Sequence, residues 1–166
     1  MKEKGIDQYL EMAEYIRKKY PQTRFHICGF CEEEYEDILK EYEDKGIITY
    51  HGLIMDVREV LAYTPCTVHP SYYPEGISNV LLESAASGRP LISTDRSGCR
   101  EVIDEGVNGY IVPQKDAKAL IEAVEKFMGL KNEERRQMGL AGREKVEREF
   151  DRKKVIESYI DELRLG

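Results

Sequence analysis

The residues best equipped for chemistry form one run, Pro70-Ser71-Tyr72-Tyr73-Pro74-Glu75-Gly76-Ile77-Ser78-Asn79, followed by Glu83. The run leads into an apolar helical stretch, so the first N–H groups near Ile77 and Ser78 lack intrahelical partners and make a ready anion site. The helix dipole adds about 0.3–1 kcal/mol toward negative charge, and phosphate is the natural guest. Glu83 shares one helical stripe with Asn79 and Ser87, while Val80, Leu81, Leu82, Ala85 and Ala86 fill the remaining, apolar faces. A lone carboxylate on such a helix is costly unless paired or hydrogen-bonded. A sugar diol would satisfy it, since an ionised carboxylate accepts from two hydroxyls at once. Glu75 and Glu83 do not read as a glycosidase pair. Residues 77–83 alone span roughly 9 Å at about 1.5 Å per residue, and Glu75 lies beyond their start. A retaining pair needs carboxyls about 5–5.5 Å apart and an inverting pair about 6.5–9.5 Å. The two acids read instead as holding opposite ends of one extended ligand, and a nucleotide-sugar has that shape.

A second candidate is Cys28-Gly29-Phe30-Cys31, which ends an apolar run and opens a helical one, where a thioredoxin-like redox pair would sit. Glu32, Glu33 and Glu34 follow at once and should raise thiol pKa values, where a redox pair needs them lowered. Cys66 and Cys99 are isolated, so a four-ligand zinc site lacks its second close pair. The four cysteines read as small buried hydrophobes.

These residues sit on a regular alternation. Helical periodicity covers residues 5–20, 32–43, 57–63, 77–87, 117–128, 133–149 and 153–163; strand-like runs cover 24–28, 47–50, 66–69, 91–94 and 110–112. Pro21, Gly29, Gly46, Gly52, Gly88 and Pro113 punctuate them. Strand and helix alternating with short connections predict an α/β fold, a doubly wound Rossmann-like parallel sheet with helices on both faces. In such a sheet ligands bind beyond the carboxyl ends of the strands, which singles out Gly29 and Phe30, His51 and Gly52, residues 71–76 and residues 95–100. The first element is a helix, whereas a doubly wound half starts with a strand in mid-sheet; the first strand is therefore missing from this chain. Its neighbours should flank a gap of unpaired backbone, either closing directly or taking a strand from a neighbouring chain, which leaves room for homo-oligomers through exposed strands.

The chain has 166 residues, 25 basic against 32 acidic side chains and a net charge of -7. An acidic balance without a run of Lys and Arg argues against a nucleic-acid surface. No apolar stretch approaches the 18 or so residues that cross a bilayer, and no signal-peptide pattern opens the chain. The expected setting is cytoplasmic, with a peripheral position at the inner membrane face open to a full-length enzyme.

Pro70-Ser71, Glu75-Gly76, Glu83, Gly88-Arg89-Pro90, Gly98, Glu101 and Asn108-Gly109, together with Lys4-Gly5, resemble the C-terminal domain of a retaining GT-B glycosyltransferase of the group 1, or family 4, type. The resemblance runs from Lys4 to about Phe150 and includes the eight-residue separation of Glu75 and Glu83. It departs at Cys99, where the family often carries a second Gly. It implies a donor-binding domain over residues 1–150 and, over 151–166, a C-terminal helix crossing back toward an absent N-terminal, acceptor-binding domain. By the same resemblance Glu75 is the catalytic carboxylate, touching donor-sugar hydroxyls near the reacting carbon, and Glu83 accepts from the ribose. The N–H groups of Gly76, Ile77 and Ser78 meet phosphate and sugar. Lys4 neutralises the diphosphate, and Gly29, Gly52 and Leu53 line the base pocket. No metal and no cofactor is implied; the donor is a nucleotide diphosphate sugar of the UDP or GDP type, with a hexose moved to a glycan or lipid-linked acceptor. A diphosphate-binding Arg of the family would precede Met1, so the chain is expected to be a donor-binding half, inactive alone, with Met1 not the natural start. The alternatives are a non-catalytic Rossmann-like nucleotide-binding or interaction domain and the redox protein using Cys28 and Cys31.

Overall fold

The computed structural model describes residues 2–151 and, beyond them, residues 153, 156, 160 and 161. The expected crossing helix over 151–166 thus lies largely outside the described residues. The chain opens with a 3-10 turn (Lys2–Lys4) and helix α1 (Ile6–Lys19), then β1 (Phe25–Ile27), α2 (Glu33–Asp44), β2 (Ile48–Tyr50), the short α3 (Arg58–Leu61) and β3 (Thr67–His69). It continues with α4 (Asn79–Ala86), β4 (Leu91–Thr94), a 3-10 turn (Arg100–Val102), β5 (Gly109–Val112), α5 (Ala117–Gly129) and α6 (Asn132–Glu149).

Local chemistry fixes several ends. Pro21 follows Tyr20, whose N–H closes α1 on the carbonyl of Ile16. Asp116 caps α5 by accepting from the Ala119 N–H at 2.9 Å, satisfying one of the helix's orphan donors. All strand pairs are parallel, with Phe25 opposite Ile48, Thr67 opposite Leu91 and Leu91 opposite Gly109.

Side chains alternate across the second sheet. Ile92, Tyr110 and Val112 join Leu10, Ile16, Leu120, Val124 and Phe127 of α1 and α5 in one apolar cluster. Leu91 and Ile111 face the other way, onto Leu81 and Ala85 of α4 and onto Val102 and Ile103. Helices thus cover both faces, the α/β arrangement expected from the alternation.

The strands do not form one sheet. β1 pairs only with β2, and β3, β4 and β5 form a second sheet in that order. Between β1 and β3 lies an open cavity of about 550 Å³, lined by Phe25 and Ile27 on one side and Cys66 and Val68 on the other. This is the expected gap, and of the two outcomes foreseen for it, direct closure does not occur. The halves are joined above it by α1, which packs along α5.

Candidate functional site

The carboxyl ends of β3 and β4 carry the run from Pro70 to Asn79 and the loop from Asp95 to Glu101. The N-terminal segment is pinned onto them. Tyr72 donates its N–H to the carbonyl of Glu3 at 2.8 Å, and the Ser71 hydroxyl reaches the same carbonyl at 3.4 Å. Gly5 sits at φ +78 with its α-carbon against Pro70, and a Cβ there would lie 2.1 Å from the Pro70 carbonyl oxygen. Only glycine fits such a contact in a left-handed conformation. That close approach delivers Lys4 across the strand ends, where its ammonium is 2.9 Å from Oε1 of Glu75 and 4.7 Å from the centre of the Tyr73 ring. Lys4 and Glu75 keep 45% and 33% of their side-chain surface exposed, so a ligand can reach both.

The two loops are locked to each other. Ser78 donates its N–H to the Gly98 carbonyl at 2.8 Å. Gly98, at φ +88, lies so close that a Cβ would come within 2.1 Å of the Gly76 carbonyl oxygen. Arg96 reaches over with its guanidinium, donating to the Glu75 carbonyl at 2.7 Å, to the Ser97 carbonyl, and to Sγ of Cys99 at 3.1 Å. Glu101 holds the loop from the other side, accepting from the Gly98 N–H at 2.6 Å and the Ser97 hydroxyl at 3.2 Å. Desolvation works against the Glu101 charge, but hydrogen bonds from its own backbone N–H, from Gly98 and from Ser97 outweigh it and hold the carboxyl below its usual range.

His69, at the end of β3, contacts the Ser78 hydroxyl at 3.4 Å through Nε2. Burial, assisted by the charges of Lys4 and Arg96, lowers its pKa to about 4, so it is neutral near pH 7.

The structure corrects one expectation at α4. Ser78 is the N-cap with an extended backbone, ψ 111, and its N–H is spent on Gly98, so it cannot meet a ligand. The amides of Gly76 and Ile77 have no partner among the described residues and remain available. The helix is also less buried than its composition implies: Leu81, Ser84 and Ala85 face the core, while Asn79, Val80, Glu83 and Ala86 are exposed. The Glu83 carboxylate makes no hydrogen bond or ion pair among the described residues and stands exposed on the polar stripe, where the sequence placed it.

The other predicted residues gather beyond β1 and β2. Gly29 donates its N–H to the Gly52 carbonyl at 2.8 Å, and its carbonyl accepts from the Tyr50 hydroxyl at 2.8 Å. Leu53 beside it is exposed. His26 Nδ1 and His51 Nε2 are 3.0 Å apart in stacked rings just behind this turn. The cavity between the sheets is lined by Lys4 as well as by Cys28, Gly29 and Phe30, so it borders both groups of residues. The thiols do not suit redox work: desolvation raises Cys28, and desolvation with the Glu36 and Glu32 charges raises Cys31.

Sequence reasoning did not assign Arg96. It lies in a loop marked as following a strand, but its partner Glu75 is 21 positions away, and a single Arg in a turn carries no spacing signal.

A family model described as "Glycosyl transferases group 1" matches residues 1–145. The chain belongs to this family. It is 28% identical over 160 residues to the putative glycosyltransferase EpsD of Bacillus subtilis, covering 95% of this chain and 41% of that protein. Among solved structures it resembles the C-terminal domain of a group 1 family protein, LpcC, from Francisella tularensis, at 26% identity and a TM-score of 0.76, covering 90% of this chain and 81% of that one. The fold is shared with Anabaena HepE, solved in complex with UDP-glucose, at a TM-score of 0.84, 18% identity and coverage of 100% of this chain and 46% of that one. The chain spans about two fifths of the length of the curated relatives it matches.

Proposed function

We propose that this chain is the donor-binding part of a metal-independent, retaining glycosyltransferase that moves a hexose from a nucleoside diphosphate sugar to a glycan or lipid-linked acceptor in the cytoplasm. The observation that carries the reading is the meeting of Lys4 and Glu75 beyond the ends of the parallel strands, 71 positions apart in sequence and 2.9 Å apart in space. The diphosphate lies against Lys4 and the unpartnered amides of Gly76 and Ile77, and Glu83 accepts from the ribose. Glu75 contacts the sugar hydroxyls next to the reacting carbon, and Gly29, Gly52 and Leu53 border the base. As the bond between sugar and phosphate breaks, negative charge grows on the departing diphosphate. A charge-assisted bond from Lys4 strengthens in step, the kind of preorganised contact that lowers a barrier. The complex of HepE with UDP-glucose supports this class of donor, and two further relatives, named as a putative colanic acid biosynthesis glycosyltransferase of Escherichia coli and a capsular polysaccharide biosynthesis glycosyltransferase of Staphylococcus aureus, support an acceptor in polysaccharide synthesis.

A net charge of -7 repels the ligand as a whole, so affinity rests on these few placed groups. Titration of the chain with UDP, GDP and ADP in EDTA should show saturable binding to at least one of them. Glu83→Gln should weaken that ligand by about tenfold, the scale of a hydrogen bond to a charged group. Binding to none of the three, binding only with added divalent cation, or full affinity in Glu83→Gln would refute the reading. Transfer of sugar to an acceptor by the chain alone would refute the division of labour.

A further inference from the structure

Arg96 is the least accessible charge beside the donor end, with a side chain only 7% exposed, and its Nε is buried without a partner. Isolated buried guanidinium groups are costly, so a fold that keeps one there needs a reason in its contacts. Two of those contacts fall on one residue, Glu75. Arg96 donates to the Glu75 carbonyl at 2.7 Å, and its other terminal nitrogen is 3.7 Å from Oε1 of the same residue. That oxygen is also the one Lys4 holds at 2.9 Å. Glu75 Oε1 therefore has two cations, a half-exposed lysine and a buried arginine bonded to the loop backbone.

The two cations cannot play the same part. A diphosphate drawn to Lys4 competes with Glu75 for its ammonium. Once Lys4 turns away, a carboxylate that is two-thirds covered loses its nearest counter-charge just when it must point at the sugar. Arg96 is already tethered to the backbone of Glu75, Ser97 and to the Cys99 sulfur, so it stays.

We propose that Arg96 is a positioning residue for the donor sugar: it keeps the Glu75 carboxylate in place and its charge compensated when the diphosphate takes Lys4. This rests on the donor-binding reading above. Arg96 itself touches no ligand; it acts through Glu75, and its influence falls on the sugar rather than on the nucleotide.

The experiment compares UDP with UDP-glucose, and GDP with GDP-mannose, by calorimetry on the wild type, Arg96→Lys, Arg96→Met and Glu75→Gln, with thermal melts to establish folding. The wild type should bind the nucleotide-sugar of one pair more tightly than its nucleotide. Arg96→Met should keep nucleotide affinity within about twofold and lose most of that sugar increment, about tenfold being the scale of one charge-assisted hydrogen bond. Arg96→Lys, which keeps the charge but loses the planar fork, should recover part of it. In a Glu75→Gln background, Arg96→Lys should change the increment no further, because its effect runs through that carboxylate. This double substitution decides the matter even if Arg96→Met fails to fold. Equal weakening of nucleotide and nucleotide-sugar, or additive losses in the double variant, would overturn the positioning role and leave the donor reading intact. A wild type that binds no nucleotide overturns both.

Discussion

The loops beyond β1 and β2 and those beyond β3 and β4 occupy the same end of the fold, but they are built differently. Beyond β3 and β4, Ser71, Ser78, Thr94, Arg96 and Gly98 are buried, and the two loops exchange backbone and side-chain hydrogen bonds. Beyond β1 and β2, Phe30, Leu53 and Met55 stand exposed, and among the described residues the join is slighter: the Gly29 N–H donates to the Gly52 carbonyl and the Tyr50 hydroxyl to the Gly29 carbonyl. The first arrangement fixes polar groups to within a narrow geometry, which suits diphosphate and sugar hydroxyls. The second offers apolar surface with little to hold it, which suits a flat base recognised by stacking and contact. On the proposed donor-binding reading, the reacting end is preformed, and the end that only adds affinity is left adjustable.

The sharpest way to break the comparison is to put a side chain where the two polar loops touch. Gly98→Val collides with the Gly76 carbonyl and forces a branched residue to φ +88, and should destabilise by about 3 kcal/mol or more in a denaturant melt. Gly52→Ala, in open space at φ +64, should cost about 1 kcal/mol, the left-handed penalty alone. Similar losses in both would erase the distinction.

Acid tests the same end. His69 has a folded-state pKa of about 4, lowered chiefly by burial, against about 6.5 when unfolded. Between those values the unfolded chain binds the extra proton, so stability is lost as pH falls from about 6.5 to about 4, by up to about 3 kcal/mol. His69→Gln should flatten that part of the stability profile measured by urea titration. An unchanged slope would mean that His69 is not the proton acceptor. His26, lowered by burial and then by His51 and Arg24, should contribute a shallower slope of the same sign.

Lys4→Met should weaken nucleoside diphosphate binding by about tenfold and flatten its salt dependence, because one charge-assisted contact is removed. Chain stability should barely change, since an exposed pair is worth little. The smallest effect is expected at the open end: Leu53→Ser should alter stability by less than about 0.5 kcal/mol and shift affinity among UDP, GDP and ADP by a few-fold in calorimetry. A large loss of stability there would show that this end is as tightly built as the other.

Much of this was legible in the residues. The run 91–94 is β4 as expected, and the alternation of Pro and Gly stops with periodic stretches placed every helix from α1 to α6 within two residues, because those signals are local. The start of α4 was misplaced by two residues, at Ile77 rather than Asn79, since what ends the preceding extended segment is a bond from Ser78 to Gly98, twenty positions on. Val80 and Ala86 were expected among apolar faces, yet they are exposed, because α4 buries one narrow stripe rather than all but one. Lys4 and Glu75 were each named from motif, but nothing in the chain announces their contact. It depends on Gly5 nestling against Pro70. Arg96 falls in the loop 95–100 that the strand rule singles out, but its role is not legible there for the same reason: its meaning lies in what the fold brings to it.

The packing of α1 along α5 also sets a schedule. The apolar stripe of α1, Ile6, Leu10, Ala13 and Ile16, finds much of its cover on Leu120, Val124 and Phe127, about a hundred residues later in the chain. At about 5–20 residues per second a ribosome takes on the order of 10 s to deliver that partner. Until then α1 carries a hydrophobic face that earlier elements such as β1 and α2 can cover only in part. This domain therefore cannot complete its core until α5 has been made.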